Sequence, residues 1–316
     1  MRRRTRDAAL YWGMALDARQ IVLAPDAVAA KSPTGVAVSG LRLGFRALSA
    51  VAPGIAARAA ARLWFMPPRP KVRADAREFL ATGKRSTVVV DDRPVATWRW
   101  GSGPPVVLMH GWGGYGAQMR SFVEPLVRSG HEAVIFDAPA HGDSGPGQLG
   151  SRQTTLFEFA RVLDALGTER GELAGIIAHS GGATAAAWAL LSARWRARSL
   201  VMIAPMGSPS AYRKMFHDAL GLNEEVHRRF TEYTARRLGF DWADLEVPGM
   251  AARAATPPLL VVHDREDVET SWDESAAIVE AWPESLLHTT TGLGHRRVLR
   301  DPGVIETVTS FIAARR

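Results

Sequence analysis

From Thr87 onward, short runs of β-branched and aliphatic residues alternate with stretches in which apolar positions recur every three to four residues. The runs at 87–90, 95–100, 106–109, 133–136, 173–178, 200–204, 259–262 and 286–289 predict eight strands. Asp91, Asp92, Arg93 and Pro94 between the first two have the turn chemistry of a hairpin. Most of the later runs are apolar throughout, as in strands buried on both faces of a parallel sheet. Helical periodicity at 118–128, 154–166, 183–193, 273–281 and 304–314 supplies the covering layers. The pattern predicts an α/β fold, a mostly parallel open sheet of about eight strands flanked by helices and antiparallel at its beginning, with ligands at the carboxyl ends of the strands.

Two regions depart from this alternation. Residues 206–250 are polar and helical, with Val226, Phe230 and Tyr233 on one face and a mix of Glu and Arg on the other, which predicts an inserted cap of two to three helices or a lateral packing excursion. Residues 1–85 form a basic N-terminal extension, partly helical, ahead of a main domain at 86–316. Within the extension, 41–65 read as helix interrupted near Pro53, with Arg42, Arg46, Arg58 and Arg62 in pairs four apart. This segment fits one or two helices packed on the main domain, or a basic amphipathic segment lying on an anionic membrane surface. Residues 66–70, Met-Pro-Pro-Arg-Pro, predict a stiff extended connection. Arg2, Arg3, Arg4 and Arg6 before the apolar run 8–16 resemble the start of a secretory signal, but Asp17 and Arg19 end the run without a clear cleavage site. Met14 is an alternative start.

The chain has 316 residues, 47% hydrophobic and 22% charged, the composition of a globular protein. No charge-free stretch approaches the roughly 18 apolar residues that a membrane span needs, and a cytoplasmic protein is expected. With no Cys, disulfides, thiolate metal sites and a cysteine nucleophile are excluded. The net charge of +7 is uneven: residues 1–85 hold 16 Lys or Arg against 5 Asp or Glu, and the remainder is mildly acidic. Nucleic-acid binding would need a basic face on the folded domain, so no nucleic-acid partner is expected.

The chemistry gathers at the strand ends. The strand at 173–178 runs into Ala178-His179-Ser180-Gly181-Gly182, followed by small helix-forming residues. A serine on a sharp strand-to-helix turn needs small residues two positions to either side, and the helix then aims its free amides and positive dipole end at a developing oxyanion. A serine capping a helix in a glycine-rich turn would give the same pentapeptide. Four other strands end in His110-Gly111-Trp112-Gly113-Gly114, in Asp137-Ala138-Pro139-Ala140-His141-Gly142-Asp143-Ser144, in His263-Asp264-Arg265-Glu266-Asp267, and just before Gly292-Leu293-Gly294-His295.

Over residues 86–316 these five segments, in this order, resemble the α/β-hydrolase superfamily, in its serine esterase and lipase-like branch with a small helical cap. The resemblance implies a triad of Ser180, Asp267 and His295, with the backbone amides of Trp112 and Gly181 as oxyanion hole. It implies no cofactor and no metal. Asp264 and Glu266 compete with Asp267 for the acid. Asp137 and His141 read as turn-stabilising groups, His110 as a packing and hydrogen-bonding group, and His217, His227, His263 and His288 as satisfied or solvated. Trp112, Tyr115, His179 and the cap residue Phe216 are the expected substrate-binding side chains. Ala178 stands where the family most often has Gly, and Asp264 where many members have Gly.

The implied function is a serine hydrolase of carboxylic esters with small to medium acyl or aromatic groups, acting on a small-molecule substrate. The same triad would serve a thioesterase, acyltransferase, amidase or carbon–carbon bond hydrolase. A non-catalytic binding protein that keeps the fold is the alternative from another class. Under either, peripheral membrane contact through the extension stands as the alternative to its packing on the main domain.

Overall fold

All eight predicted strands form, in one sheet: β1 (Lys84–Val90), β2 (Arg93–Trp100), β3 (Pro105–Met109), β4 (Glu132–Phe136), β5 (Gly175–His179), β6 (Leu200–Ile203), β7 (Leu259–Asp264) and β8 (Ser285–Thr290). The structure is a computed structural model and describes residues 33–253 and 256–315. The signal-like run at 8–16, the arginines before it and Met14 lie outside the described residues. The strand order is β1-β2-β4-β3-β5-β6-β7-β8. β2 runs antiparallel to β1 and β4, and all remaining pairs are parallel. The residues of β5, β6 and β7 are buried throughout, which is why they read as unbroken apolar runs. The hairpin turn is tighter than the sequence suggests: Asp91 and Asp92 alone make it, both at positive φ, while Arg93 and Pro94 already belong to β2.

In chain order the helices are α1 (Pro33–Val51), α2 (Pro53–Trp64), α3 (Ala74–Ala81), α4 (Val123–Arg128), α5 (Leu156–Arg170), α6 (Gly181–Leu190), α7 (Pro209–Leu220), α8 (Glu224–Leu238), α9 (Val247–Ala251), α10 (Trp272–Ala281), α11 (Gly294–Arg297) and α12 (Pro302–Ala313). The predicted helix at 118–128 divides into a 3-10 turn, Gly116–Phe122, and α4. α5 opens with a capping box, in which the Thr155 hydroxyl accepts from the Glu158 amide and the Glu158 carboxylate accepts from the Thr155 amide. α3 has no counterpart in the sequence reading. Its eight residues are too few for a helical period to show.

Packing divides the chain into two compact units. One joins residues 33–68 to 208–246, and the other holds 69–207 with 247–315. The sequence reading places its boundary after residue 85 and assigns the insertion to the C-terminal domain. In the structure α1 and α2 share a core with α7 and α8 instead. The physical reason is aromatic: Trp64 of α2 meets Phe216 at 5.2 Å, Phe230 at 6.1 Å and Trp242 at 5.8 Å, each edge-to-face. The buried stripe of α8 is Val226, Phe230 and Thr234, so the period continues through Thr234, and Tyr233 is only half-buried. Trp64→Ala should cost about 3–5 kcal/mol in denaturant unfolding. A loss below about 1 kcal/mol would show that α2 does not hold residues 208–246.

In the second unit the two ends of the insertion meet, where the Val247 amide donates to the Gly207 carbonyl at 2.9 Å. The segment 208–246 therefore leaves and rejoins its parent fold at one point.

Candidate active site

β5 delivers Ser180 directly into α6. Its backbone stands at φ 54°, ψ −125°, a region costing of order 1–3 kcal/mol for a residue with a side chain. The turn is held from the β6 side: the Ser180 amide donates to Ile203 at 3.0 Å, and its carbonyl accepts from Ala183 at 3.0 Å and Met206 at 3.3 Å. Gly181 is the first residue of α6, so no helical carbonyl lies one turn back for its amide. Ala178 fits in place of the usual Gly, fully buried between β3 and β6.

The glycine-rich loop after β3 is pressed against this turn. A Cβ on Gly111 would stand 2.9 Å from the Ser180 Cβ, and one on Gly182 would stand 2.5 Å from the His110 carbonyl oxygen. The approach is backbone to backbone, and only glycine permits it at these two positions. Two histidines fix the loop. His110 donates from Nδ1 to the Gly111 carbonyl at 2.7 Å and accepts at Nε2 from the Ala138 amide at 3.0 Å. His141 donates from Nδ1 to Pro139 and accepts at Nε2 from the Gly113 amide, both at 3.0 Å. Burial holds both rings below the usual histidine range, in the neutral form that can donate from one nitrogen and accept at the other. Asp137 accepts from the amides of Gly116 at 2.6 Å and Asp143 at 2.7 Å. Because the Gly113 amide is committed to His141, the candidate oxyanion donors are the amides of Trp112 and Gly181.

Asp267, on the turn after β7, is the carboxylate that meets His295. Its Oδ2 lies 2.8 Å from His295 Nδ1, 2.9 Å from the Thr270 hydroxyl and 3.3 Å from His263 Nε2, while Oδ1 accepts from the amides of Glu269 and Thr270. Burial pushes this carboxyl up, but the His295 charge and the hydrogen bonds from His263, His295 and Thr270 outweigh it and hold it well below the carboxylate range. The competitors are otherwise engaged. Asp264 accepts from Thr290 Oγ1 at 2.7 Å, Leu293 N at 3.0 Å and Glu266 N at 2.9 Å, so it ties β8 and the histidine loop to β7. Glu266 is exposed. His263 is structural, bonded to Ser275 at 2.6 Å and Thr270 at 3.2 Å.

His179 links the two halves of the site. Its Nε2 donates to the His295 carbonyl at 2.9 Å, with the rings 4.6 Å apart. Burial and the neighbouring His295 push it down to about 3, so it remains a neutral donor. It stands next to Ser180 in sequence, and this bond brings the backbone of His295 to the elbow. The sequence reading gives His179 a substrate contact; its observed bond is to the histidine backbone.

Two groups escaped the sequence reading. Thr270 donates to Asp267, and Glu269 places Oε2 3.7 Å from His295 Nε2 while Oε1 lies 3.4 Å from Arg296 Nε. Their only sequence signal is position, three and two residues after Asp267. Burial pushes His295 down, but Asp267 and Glu269 more than reverse this and hold it above its ordinary value. A histidine that must be neutral to accept a proton works better as pH rises through its pKa. The acidic limb of kcat/KM should therefore fall above about 6.5, the ordinary histidine value. Glu269→Gln removes one of the two charges and should move that limb to lower pH. A pH profile of the two enzymes checks both the position and the direction.

The remaining expected contacts are largely packed away. Trp112 stacks on Phe159 with centroids 6.3 Å apart and is 6% exposed, and Tyr115 joins the core of the sheet unit. Phe216 belongs to the other unit, where its ring is buried against Trp64. For Tyr115 and Phe216 the sequence reading expected pocket walls; tight aromatic and aliphatic packing explains the difference.

A family model for the alpha/beta hydrolase fold matches residues 104–247. That stretch contains the glycine-rich loop and the Ser180 turn and ends before Asp267 and His295. A 2-hydroxy-6-oxononadienedioate/2-hydroxy-6-oxononatrienedioate hydrolase of Cupriavidus pinatubonensis is 26% identical over 232 residues, covering 60% of this chain and 80% of its own. An esterase from Exiguobacterium antarcticum superposes with a TM-score of 0.54 at 17% identity, covering 72% of this chain and 99% of its own. An esterase from Pyrococcus furiosus gives 0.56 at 19% identity, covering 78% and 98%.

Proposed function

The chain belongs to the α/β-hydrolase superfamily and is a hydrolase of that type, and from this premise we propose that it cleaves carboxylic esters through an acyl-enzyme on Ser180. The observation that carries this reading is the Asp267–His295 hydrogen bond, 2.8 Å from Oδ2 to Nδ1. With Nδ1–H donating to Asp267, Nε2 is the ring nitrogen left to act as the base. In the proposed reaction Ser180 Oγ attacks the ester carbonyl, and His295 Nε2 takes its proton and returns it to the leaving alcohol. The amides of Trp112 and Gly181 stabilise the tetrahedral oxyanion, Asp267 stabilises the imidazolium, and water then hydrolyses the acyl-enzyme by the same path.

Glu269 bears on the substrate. The half-buried Glu269 carboxylate, 3.7 Å from the base nitrogen and shared with Arg296, disfavours a second carboxylate beside it, which supports neutral esters over dicarboxylates of the kind named for the Cupriavidus relative. Fluorophosphonate labelling of Ser180 together with hydrolysis of p-nitrophenyl esters of about two to eight carbons is the expected result. Labelling without ester hydrolysis would move the assignment to thioester, amide or carbon–carbon substrates. No labelling of folded protein would sink the enzyme reading.

A further inference from the structure

The cations of α7 and α8 meet different fates. Lys214 pairs with Asp218, and Arg228 and Arg229 pair with Glu225. Arg213 is turned inward instead, half-buried, with its guanidinium over the Trp242 ring at 4.5 Å and with Nε and Nη1 buried and unpartnered among the described residues. Glu246 and Asp241, the acids whose charge reaches it, are spent on backbone: Glu246 accepts from the Ser210 amide at 3.2 Å and Asp241 from the Ala243 amide at 2.9 Å. One helical turn on, His217 lies on the same side of α7 and is 1% exposed, and neither of its ring nitrogens has a hydrogen-bond partner among the described residues. Its close neighbours are rings, His227 at 4.3 Å and Phe230 at 4.5 Å. Burial, then the charges of His227 and Arg213, push His217 down to about 3, so the ring is neutral and offers one N–H and one lone pair. Native interiors satisfy such groups, and four unpartnered nitrogens on one helix face point to a ligand.

We propose that Arg213 and His217 form a binding site for the carboxylate of a small organic acid. The chemistry of the nitrogens selects this class. All but one of them are donors and the guanidinium keeps its positive charge, so the occupant brings acceptor oxygens and a negative charge. Water would satisfy the nitrogens but leave the half-buried charge uncompensated. A phosphate would bring more oxygens and a second charge against the Trp242 and Phe230 rings, which offer it no donor there and suit an apolar tail instead. The site stands whether or not the chain cleaves esters.

The test is isothermal titration calorimetry of the full chain, at neutral pH and constant ionic strength, with sodium butyrate and with inorganic phosphate. Butyrate should bind at one site with half-saturation at about 10 mM or below, and at least about tenfold more tightly than phosphate. Arg213→Met keeps an apolar stem over Trp242 and removes the charge, and His217→Phe keeps the ring packing and removes both nitrogens. Each should weaken butyrate binding at least about tenfold with unchanged circular dichroism, and should one fail to fold, the other still decides. Lys214→Met, which removes the neighbouring paired cation, should bind butyrate as wild type does. Absence of saturable butyrate binding, which would leave only water to the nitrogens, overturns the proposal. So does phosphate binding as tight as that of butyrate. Butyrate binding that is unchanged in either folded variant overturns it as well, because the carboxylate would then sit elsewhere, as at Ser180.

Discussion

Replacing Ser180 by alanine is expected to lower ester turnover by at least about 10³-fold and to abolish fluorophosphonate labelling while the protein stays folded. The fold survives because alanine keeps the Cβ, and the amide and carbonyl bonds to Ile203, Ala183 and Met206 belong to the backbone. The strained φ of 54° is kept as well. Ser180→Gly relieves that strain, and its denaturant midpoint should rise by the equivalent of about 1 kcal/mol although it too is inactive. An inactive but more stable glycine variant would show that the turn is strained for the sake of the hydroxyl. Retention of more than about a tenth of wild-type turnover in Ser180→Ala would place the nucleophile elsewhere.

The acid gives the second large effect. Asp267→Asn should lower kcat by about 10²–10⁴, because an amide presents a donor where three donors converge and no longer stabilises the imidazolium. Asp264→Asn breaks bonds to Thr290 and Leu293 instead, and should cost about 1–3 kcal/mol of stability with kcat within about tenfold of wild type. Measuring kcat and unfolding on both variants separates the roles. The reverse pattern, with Asp264→Asn inactive and Asp267→Asn active, would exchange the two assignments.

What could be read before the structure, and what could not, follows from the range of each interaction. The parallel strands announce themselves as apolar runs because both faces are covered, and Ser180 announces itself because a sharp turn demands small neighbours on the same stretch of chain. Thr270 and Glu269 gave no such signal. Their partners, Asp267 and His295, are reached through a loop whose path no local pattern encodes. The division into units was hidden for a related reason. The apolar stripes of α2 and α8 tell that each helix has something to bury, but a period of 3.6 carries no address, and only the structure shows Trp64 among Phe216, Phe230 and Trp242. Tyr115 and Phe216 were placed on pocket walls by composition, where packing took them inward.

The pairing of α1 and α2 with residues 208–246 has a consequence for biosynthesis. Translation runs from the amino end, so α1 and α2 leave the ribosome about 150 residues before the helices they bury against. At about 5–20 residues per second that interval lasts on the order of ten seconds or more, during which Phe45, Ala56, Ala60 and Trp64 have no native partner. The nascent chain therefore carries an unsatisfied apolar stripe for about half of its synthesis. Closing so long a loop late makes assembly of this unit a slow step and the most aggregation-exposed one, the point at which a chaperone would find its substrate.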